Sequence, residues 1–156
     1  MTLRPIAHEP IVVTHDGGLR FAAQIRSHRI IVDQPDGSGG EDGGPAPTEL
    51  LGASLGTCVA FYVQQFHHAR GLPYEGLRVE IEQRGASNPS RIGHFSVRVM
   101  LPAELSESHL AMLERVVRSC PVHNTLANGA TISVMIESPA YELTAASSIP
   151  SGSPVR

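Results

Sequence analysis

Two side chains in this 156-residue sequence combine nucleophilic chemistry with suggestive positions in the chain: Cys58 and Cys120. A thiol reacts as its thiolate, and an unperturbed thiol of pKa about 8.5 is only about 3% ionised at pH 7. Lowering that pKa to about 6 makes the thiolate about 90% of the population, which needs a cation or free backbone N–H groups at the sulfur. Cys58 lies within a run of apolar and small residues, and nothing within one helical turn of it carries positive charge. Its activation has to arrive from elsewhere in the fold. Cys120 heads the stretch CPVHNTL. Pro121 suits the first position of a helical turn, so Cys120 would cap that turn and face its free N–H groups. His123 is a further group that could tune it.

Two other readings stand beside this one. Cysteine is among the most buried residue types, and a pair of inert core thiols fits the apolar context of Cys58. Cys58, Cys120 and His123 could supply three metal ligands, but their spacing matches no compact zinc motif. His67 and His68 are expected to be solvated at a helix end rather than to chelate, because neighbours on a helix point about 100° apart.

The elements that must position the cysteines follow from patterning. Short β-prone runs occupy Ile11 to Val13, Leu19 to Ile25 and Arg29 to Val32, and Asp16-Gly17-Gly18 is a hairpin turn signal. A glycine- and proline-rich loop follows, from Pro35 to Pro47. From Thr48 to Arg70 the sequence reads as one long helix, capped by Thr48, with Glu49 against the positive end of its dipole and Gly71 as its stop. Its first two-thirds is apolar or small on nearly every side, which predicts a central helix buried on several faces. Leu77, Val79 and Ile81 alternate with Arg78, Glu80 and Glu82, and Phe95, Val97, Val99 and Leu101 repeat the period, predicting an antiparallel pair joined through residues 85–89. A second helix starts at Ser106, with Leu105 and Leu110 placed as a hydrophobic staple, and ends at Cys120 before Pro121. Val122 to Leu126 forms a further helical turn, and Ile132, Val134 and Ile136 a last strand. The order β-β-β-α-β-β-α-β is that of an α+β protein, one domain over residues 1–144 with a mobile Ser/Pro/Gly-rich tail over 145–156.

Composition narrows the function classes. With 41% hydrophobic and 17% charged residues the chain is an ordinary globular one, and its formal charge of −3 gives no reason to expect nucleic acid or an anionic membrane as partner. There is no lysine, so every fixed cationic side chain is an arginine. The first residues lack a secretory h-region, and Leu50 to Val63 is too short to span a bilayer. The cytoplasm is the expected location, and there paired cysteines are not presumed to be a structural staple.

The segments GPAPTELLGASLGTC (Gly44 to Cys58) and SCPVHNTL (Ser119 to Leu126) together resemble the osmotically inducible protein C and organic hydroperoxide resistance (OsmC/Ohr) family. The resemblance runs from about Leu19 to Ile136 and lies nearer the broad OsmC-like branch than the dedicated hydroperoxide reductases. It implies an intertwined homodimer of α+β subunits, with antiparallel sheets, a long central helix and two active sites at the interface. It implies a thiol peroxidase in which Cys58 attacks an organic hydroperoxide and becomes a sulfenic acid, Cys120 condenses with it to a disulfide, and a dithiol or lipoyl-type reductant reopens the bond. No metal or flavin cofactor is required. The family also uses an arginine from the N-terminal strands, matched here by Arg20 and then Arg26, and a glutamate directly after a proline. That slot holds Thr48, and Glu49 stands one place later, nine residues before Cys58. On an ideal helix it lies about 180° from the cysteine. Either the helix starts late and Glu49 swings in, or Glu49 is only a dipole partner. The departure leaves a second function open: a redox-sensing or small-ligand-binding dimer without efficient turnover.

Overall fold

The computed structural model describes residues 9–138. The expected tail over 145–156 and the end of the expected domain, 139–144, lie outside those residues. Strands β1 (Val12–His15), β2 (Phe21–Ile25) and β3 (His28–Val32) form an antiparallel meander, with Val12 opposite Gln24 and Phe21 opposite Val32. The turn between β1 and β2 closes as its sequence predicts: the Asp16 N–H donates to the Arg20 carbonyl and the Arg20 N–H to the Gly17 carbonyl, each at 2.9 Å. Gly17 and Gly18 sit at φ +94° and +54°, a region glycine enters without steric cost.

The loop after β3 is not slack. It is wound around the buried Asp33 carboxylate, which accepts the N–H groups of Gln34 (2.8 Å), Glu41 (3.2 Å) and Gly43 (3.0 Å). A side chain at Gly44 would collide with the Ile31 carbonyl, so this loop returns against β3 only because glycine stands there. The Gly43 N–H holds the Asp33 carboxyl below its ordinary value of 3.8; burial works the other way, while the Gln34 and Glu41 N–H groups and the Arg20 guanidinium add to the lowering. A carboxylate with a depressed folded-state pKa contributes stability above its unfolded pKa and loses it as pH falls through the folded one. The native protein is therefore expected to lose stability progressively below about pH 4. An Asp33→Asn variant should be less stable at pH 6 and decline less steeply. Thermal unfolding midpoints from pH 6 to pH 2 check this, and parallel curves would refute it.

Helix α1 runs Pro47–His68. Two details correct the sequence expectation. The N-cap is Ala46, not Thr48, because Pro47 takes the first helical position that its fixed φ favours. His67 is fully buried rather than solvated: its Nδ1 lies 2.6 Å from the Pro73 carbonyl, so that nitrogen carries the donated proton. The Leu72 N–H also returns to the His67 carbonyl at 3.0 Å, and Gly71, at φ +62°, ends the turn.

Strands β4 (Arg78–Ala86) and β5 (Arg91–Met100) pair antiparallel, Val79 opposite Val99 and Ile81 opposite Val97, as the period-two pattern predicts. Their apolar face covers one side of α1. The close approach depends on Gly56, where a Cβ would stand 3.0 Å from the Ile81 side chain. Helix α2 (Glu107–Val117) begins at the expected cap, with Ser106 Oγ accepting the His109 N–H at 3.3 Å. It ends three residues before Cys120, and α3 (Pro121–Asn128) follows. Leu55, Val59, Val63 and Phe66 of α1 and Leu113 of α2 form the buried core, with Val79, Ile81, Phe95 and Val99 packed against it. Burial of each such side chain contributes about 1.5–3 kcal/mol.

Three features leave apolar surface uncovered. No residue of β1–β3 joins that core, and Val13 and Phe21 are exposed. Only one face of α1 is fully covered, and Leu51 and Phe61 are exposed on the rest, against the expectation of burial on several faces. Residues 131–138 form no strand, contrary to the alternation at Ile132, Val134 and Ile136, and those side chains are almost wholly solvent-exposed. A strand exists only where a neighbouring edge takes its N–H and C=O groups, and residues 131–138 pair with no edge of the described sheets. Among the described residues no helix is long and apolar enough to cross a membrane.

Candidate active site

Cys58 sits near the middle of α1 and is half-buried, while Cys120 is completely buried. They are 62 residues apart in sequence, yet their Cα atoms are 6.2 Å apart and their sulfurs are joined in a disulfide. That separation falls within the usual span for such a bond. The pairing favours a redox role over a pair of inert core thiols. Among the described residues no group of three or more His, Cys, Asp or Glu side chains could hold a metal ion.

Two helix ends bring Cys120 to this point. Its N–H donates to the Val117 carbonyl at 3.2 Å as α2 finishes, and its carbonyl accepts the Asn124 N–H at 2.9 Å as α3 starts. Pro121 is the first residue of α3 and Cys120 its N-cap, the position that the CPVH sequence predicts. The Cys120 sulfur accepts the His123 N–H at 3.5 Å, so one of the free donors of α3 points at sulfur. Cys58 has no comparable donor among the described residues, since the N–H groups around it are consumed by the helix itself.

The other predicted site residues are held elsewhere. Arg20, at the entry to β2, pairs with Glu41 at 3.1 Å and donates to the Asp16 carbonyl at 3.4 Å; its Nε is buried without a partner. Arg26 is exposed at the β2–β3 turn, at φ +54°. Glu49 accepts the Ala46 N–H at 2.7 Å. Ala46 has no acceptor to return that bond, so only half of a capping box forms, and Glu49 serves the helix end. Within one chain, then, the structure brings the two cysteines together and leaves Arg20 and Glu49 bound to other partners.

Two participants were not legible as site residues. Glu41 pairs with Arg20 and Asp33 holds the loop that carries Glu41, and the available signal was an acid at a strand end before a glycine-rich loop whose N–H groups needed an acceptor. An apolar groove of about 850 Å³, lined by neither cysteine, runs between α1, β5, α2 and α3; Leu55 and Val59 form part of its floor and His123, Arg118 and Glu114 part of its rim.

A family model described as OsmC-like protein matches residues 39–135. Among solved structures the chain is similar to a Psychrobacter arcticus protein provisionally assigned to osmotic stress induction and the detoxification response, with TM-score 0.70 and 23% identity over 79% of this chain and 91% of that one. It is also similar to an organic hydroperoxide resistance protein OsmC from Legionella pneumophila, with TM-score 0.54 and 17% identity over 77% and 90% of the two chains. An OsmC-like protein from Mycoplasma pneumoniae aligns with TM-score 0.54 and 21% identity over 78% and 89%. At these identities the likeness establishes the fold. No curated protein matches the sequence.

Proposed function

This chain belongs to the OsmC-like protein family, and on that premise we propose that it is a thiol-dependent peroxidase for organic hydroperoxides. The observation that supports this reading is the Cys58–Cys120 disulfide, which joins a half-buried residue to a fully buried one. The Cys58 thiolate attacks the terminal oxygen of the hydroperoxide; the O–O bond breaks, the alkoxide takes a proton and leaves as alcohol, and Cys58 becomes a sulfenic acid. The Cys120 thiol then displaces water to form the disulfide, and a dithiol or lipoyl-type reductant restores both thiols. The cycle belongs to a reducing compartment, and the cytoplasm suits it.

The working form in this proposal is a homodimer. Support comes from the exposed apolar face of β1–β2, the bare flank of α1, the groove between α1 and β5, and the unpaired segment 131–138. Arg20, or failing it Arg26, supplies the cation Cys58 lacks, Arg20 doing so once its Glu41 partner releases it. Glu49 acts beside it if its bond to Ala46 gives way.

One test uses Cys120→Ser treated with one equivalent of cumene hydroperoxide and then dimedone. A sulfenic-acid adduct on Cys58 approaching one per chain is expected. An unmodified Cys58 would sink the proposal. The pairing of Arg20 with Glu41 and of Glu49 with Ala46 favours a second reading, a redox-sensing or small-ligand-binding dimer. Oxidation of one equivalent, with no steady-state rate on adding dihydrolipoamide, would select it.

A further inference from the structure

We propose that the reductant attacks the Cys58 sulfur of the disulfide and that Cys120 departs as the thiolate. The direction of cleavage rests on the proposed peroxidase cycle only for the class of reductant, a dithiol.

Thiol–disulfide exchange is an in-line displacement: the incoming thiolate approaches one sulfur from the side opposite the sulfur that leaves. Attack on Cys120 would require a path to a residue with no exposed surface. Attack on Cys58 needs access to a position on α1 that is only partly buried. Leaving-group stability points the same way. A thiolate departing at Cys120 is received by the His123 N–H, already 3.5 Å from its sulfur at the start of an eight-residue helix. A thiolate departing at Cys58 finds no such N–H donor, and Arg20 is held by Glu41 in this structure; should Arg20 reach Cys58, the burial of Cys120 alone sets the direction of attack. Thiols of lower pKa leave faster, and N-terminal helix positions lower a thiol's pKa.

The step balances without any further reagent. The first thiolate of the dithiol forms a bond to Cys58 Sγ, the Cys58–Cys120 bond breaks, and its electron pair goes to Cys120 Sγ. The second thiolate of the dithiol then attacks the reductant sulfur of the mixed disulfide. The reductant leaves as an oxidised disulfide, and the Cys58 thiolate is restored. The sulfur that meets the peroxide is therefore the sulfur that meets the reductant. One opening serves both half-reactions, and Cys120 never needs solvent.

The test starts from full-length protein oxidised with diamide, so that no hydroperoxide is involved. It is mixed with 2-mercaptoethanol, quenched at successive times with acidic N-ethylmaleimide and mapped by peptide mass. At the earliest times the mercaptoethanol adduct should lie on Cys58 and the maleimide on Cys120, in roughly ten-fold excess over the reverse pattern. An equal or reversed distribution overturns the proposal, as does failure of diamide to link the two cysteines. In Cys58→Ser, thiolate absorbance against pH should show Cys120 titrating below the ordinary thiol range of about 8.5; titration at or above it removes the leaving-group argument. Loss of hydroperoxide turnover in the native protein would defeat the peroxidase reading and leave this result standing, and a scrambled adduct pattern would do the converse.

Discussion

Replacing Cys58 with serine is expected to lower hydroperoxide reduction at least about 10³-fold in kcat/KM, equivalent to about 4 kcal/mol of transition-state stabilisation. A serine hydroxyl is not ionised at neutral pH without an adjacent base, and no histidine or carboxylate is hydrogen-bonded at this position among the described residues. The substitution is small and the site is only partly buried, so the fold should survive. Cys120→Ser provides the internal comparison. Cys120 acts after the O–O bond has broken, so the first turnover of that variant should stay within a few-fold of native. Single-turnover consumption of cumene hydroperoxide by the three proteins separates the roles. Full turnover by Cys58→Ser would remove the nucleophile from the proposed mechanism.

Phe66→Ala is expected to be the most damaging single truncation in the described core. Phe66 is 3% exposed and belongs to the cluster that joins α1 to α2. Its ring carries the Arg70 guanidinium at 3.8 Å from the centroid and meets the His109 ring edge-on at 6.1 Å. Arg70 in turn donates to the Met112 sulfur at 3.0 Å, so one ring anchors contacts from both helices. Removing a buried phenyl costs about 3–5 kcal/mol through lost transfer energy and the cavity left behind. That is a large part of the 5–15 kcal/mol that typically holds a domain together. Arg70→Ala, which leaves the ring in place, should cost only about 0.5–1 kcal/mol. Urea unfolding at fixed protein concentration tests the pair, and a loss below about 1 kcal/mol for Phe66→Ala would contradict this account of the core.

The sequence was most informative where the deciding interactions are local. The alternation in β4 and β5, the Ser106 cap, the turn at Gly17-Gly18 and the cap position of Cys120 each depend on residues a few places apart. The structure has all of them. The α+β class and the OsmC-like family follow from the same patterning and from the two cysteine motifs. Residues 131–138 were misread because alternation records which face is apolar, while strand formation depends on an edge that lies elsewhere. Thr48 lost the cap to Ala46 because proline's preference for the first helical position outweighed a better capping side chain. His67 was expected in water because its neighbours in sequence are polar, and the Pro73 carbonyl that satisfies it comes from the following loop. The Asp33 knot was invisible for the same reason: its donors lie one, eight and ten residues away in a loop without periodicity. What holds Arg20 and Glu49 is likewise a matter of tertiary contact rather than of motif.

The disulfide also has a mechanical side. It ties the middle of α1 to the start of α3 across 62 residues of chain, enclosing β4, β5 and α2. Closing a loop of that length removes enough freedom from the unfolded chain to be worth about 4 kcal/mol on a chain-entropy model. The oxidised molecule is thus a stapled one and the reduced molecule an unstapled one. A protease acting on transiently opened chains would digest the reduced form first, so molecules waiting for reductant would outlast those ready to react.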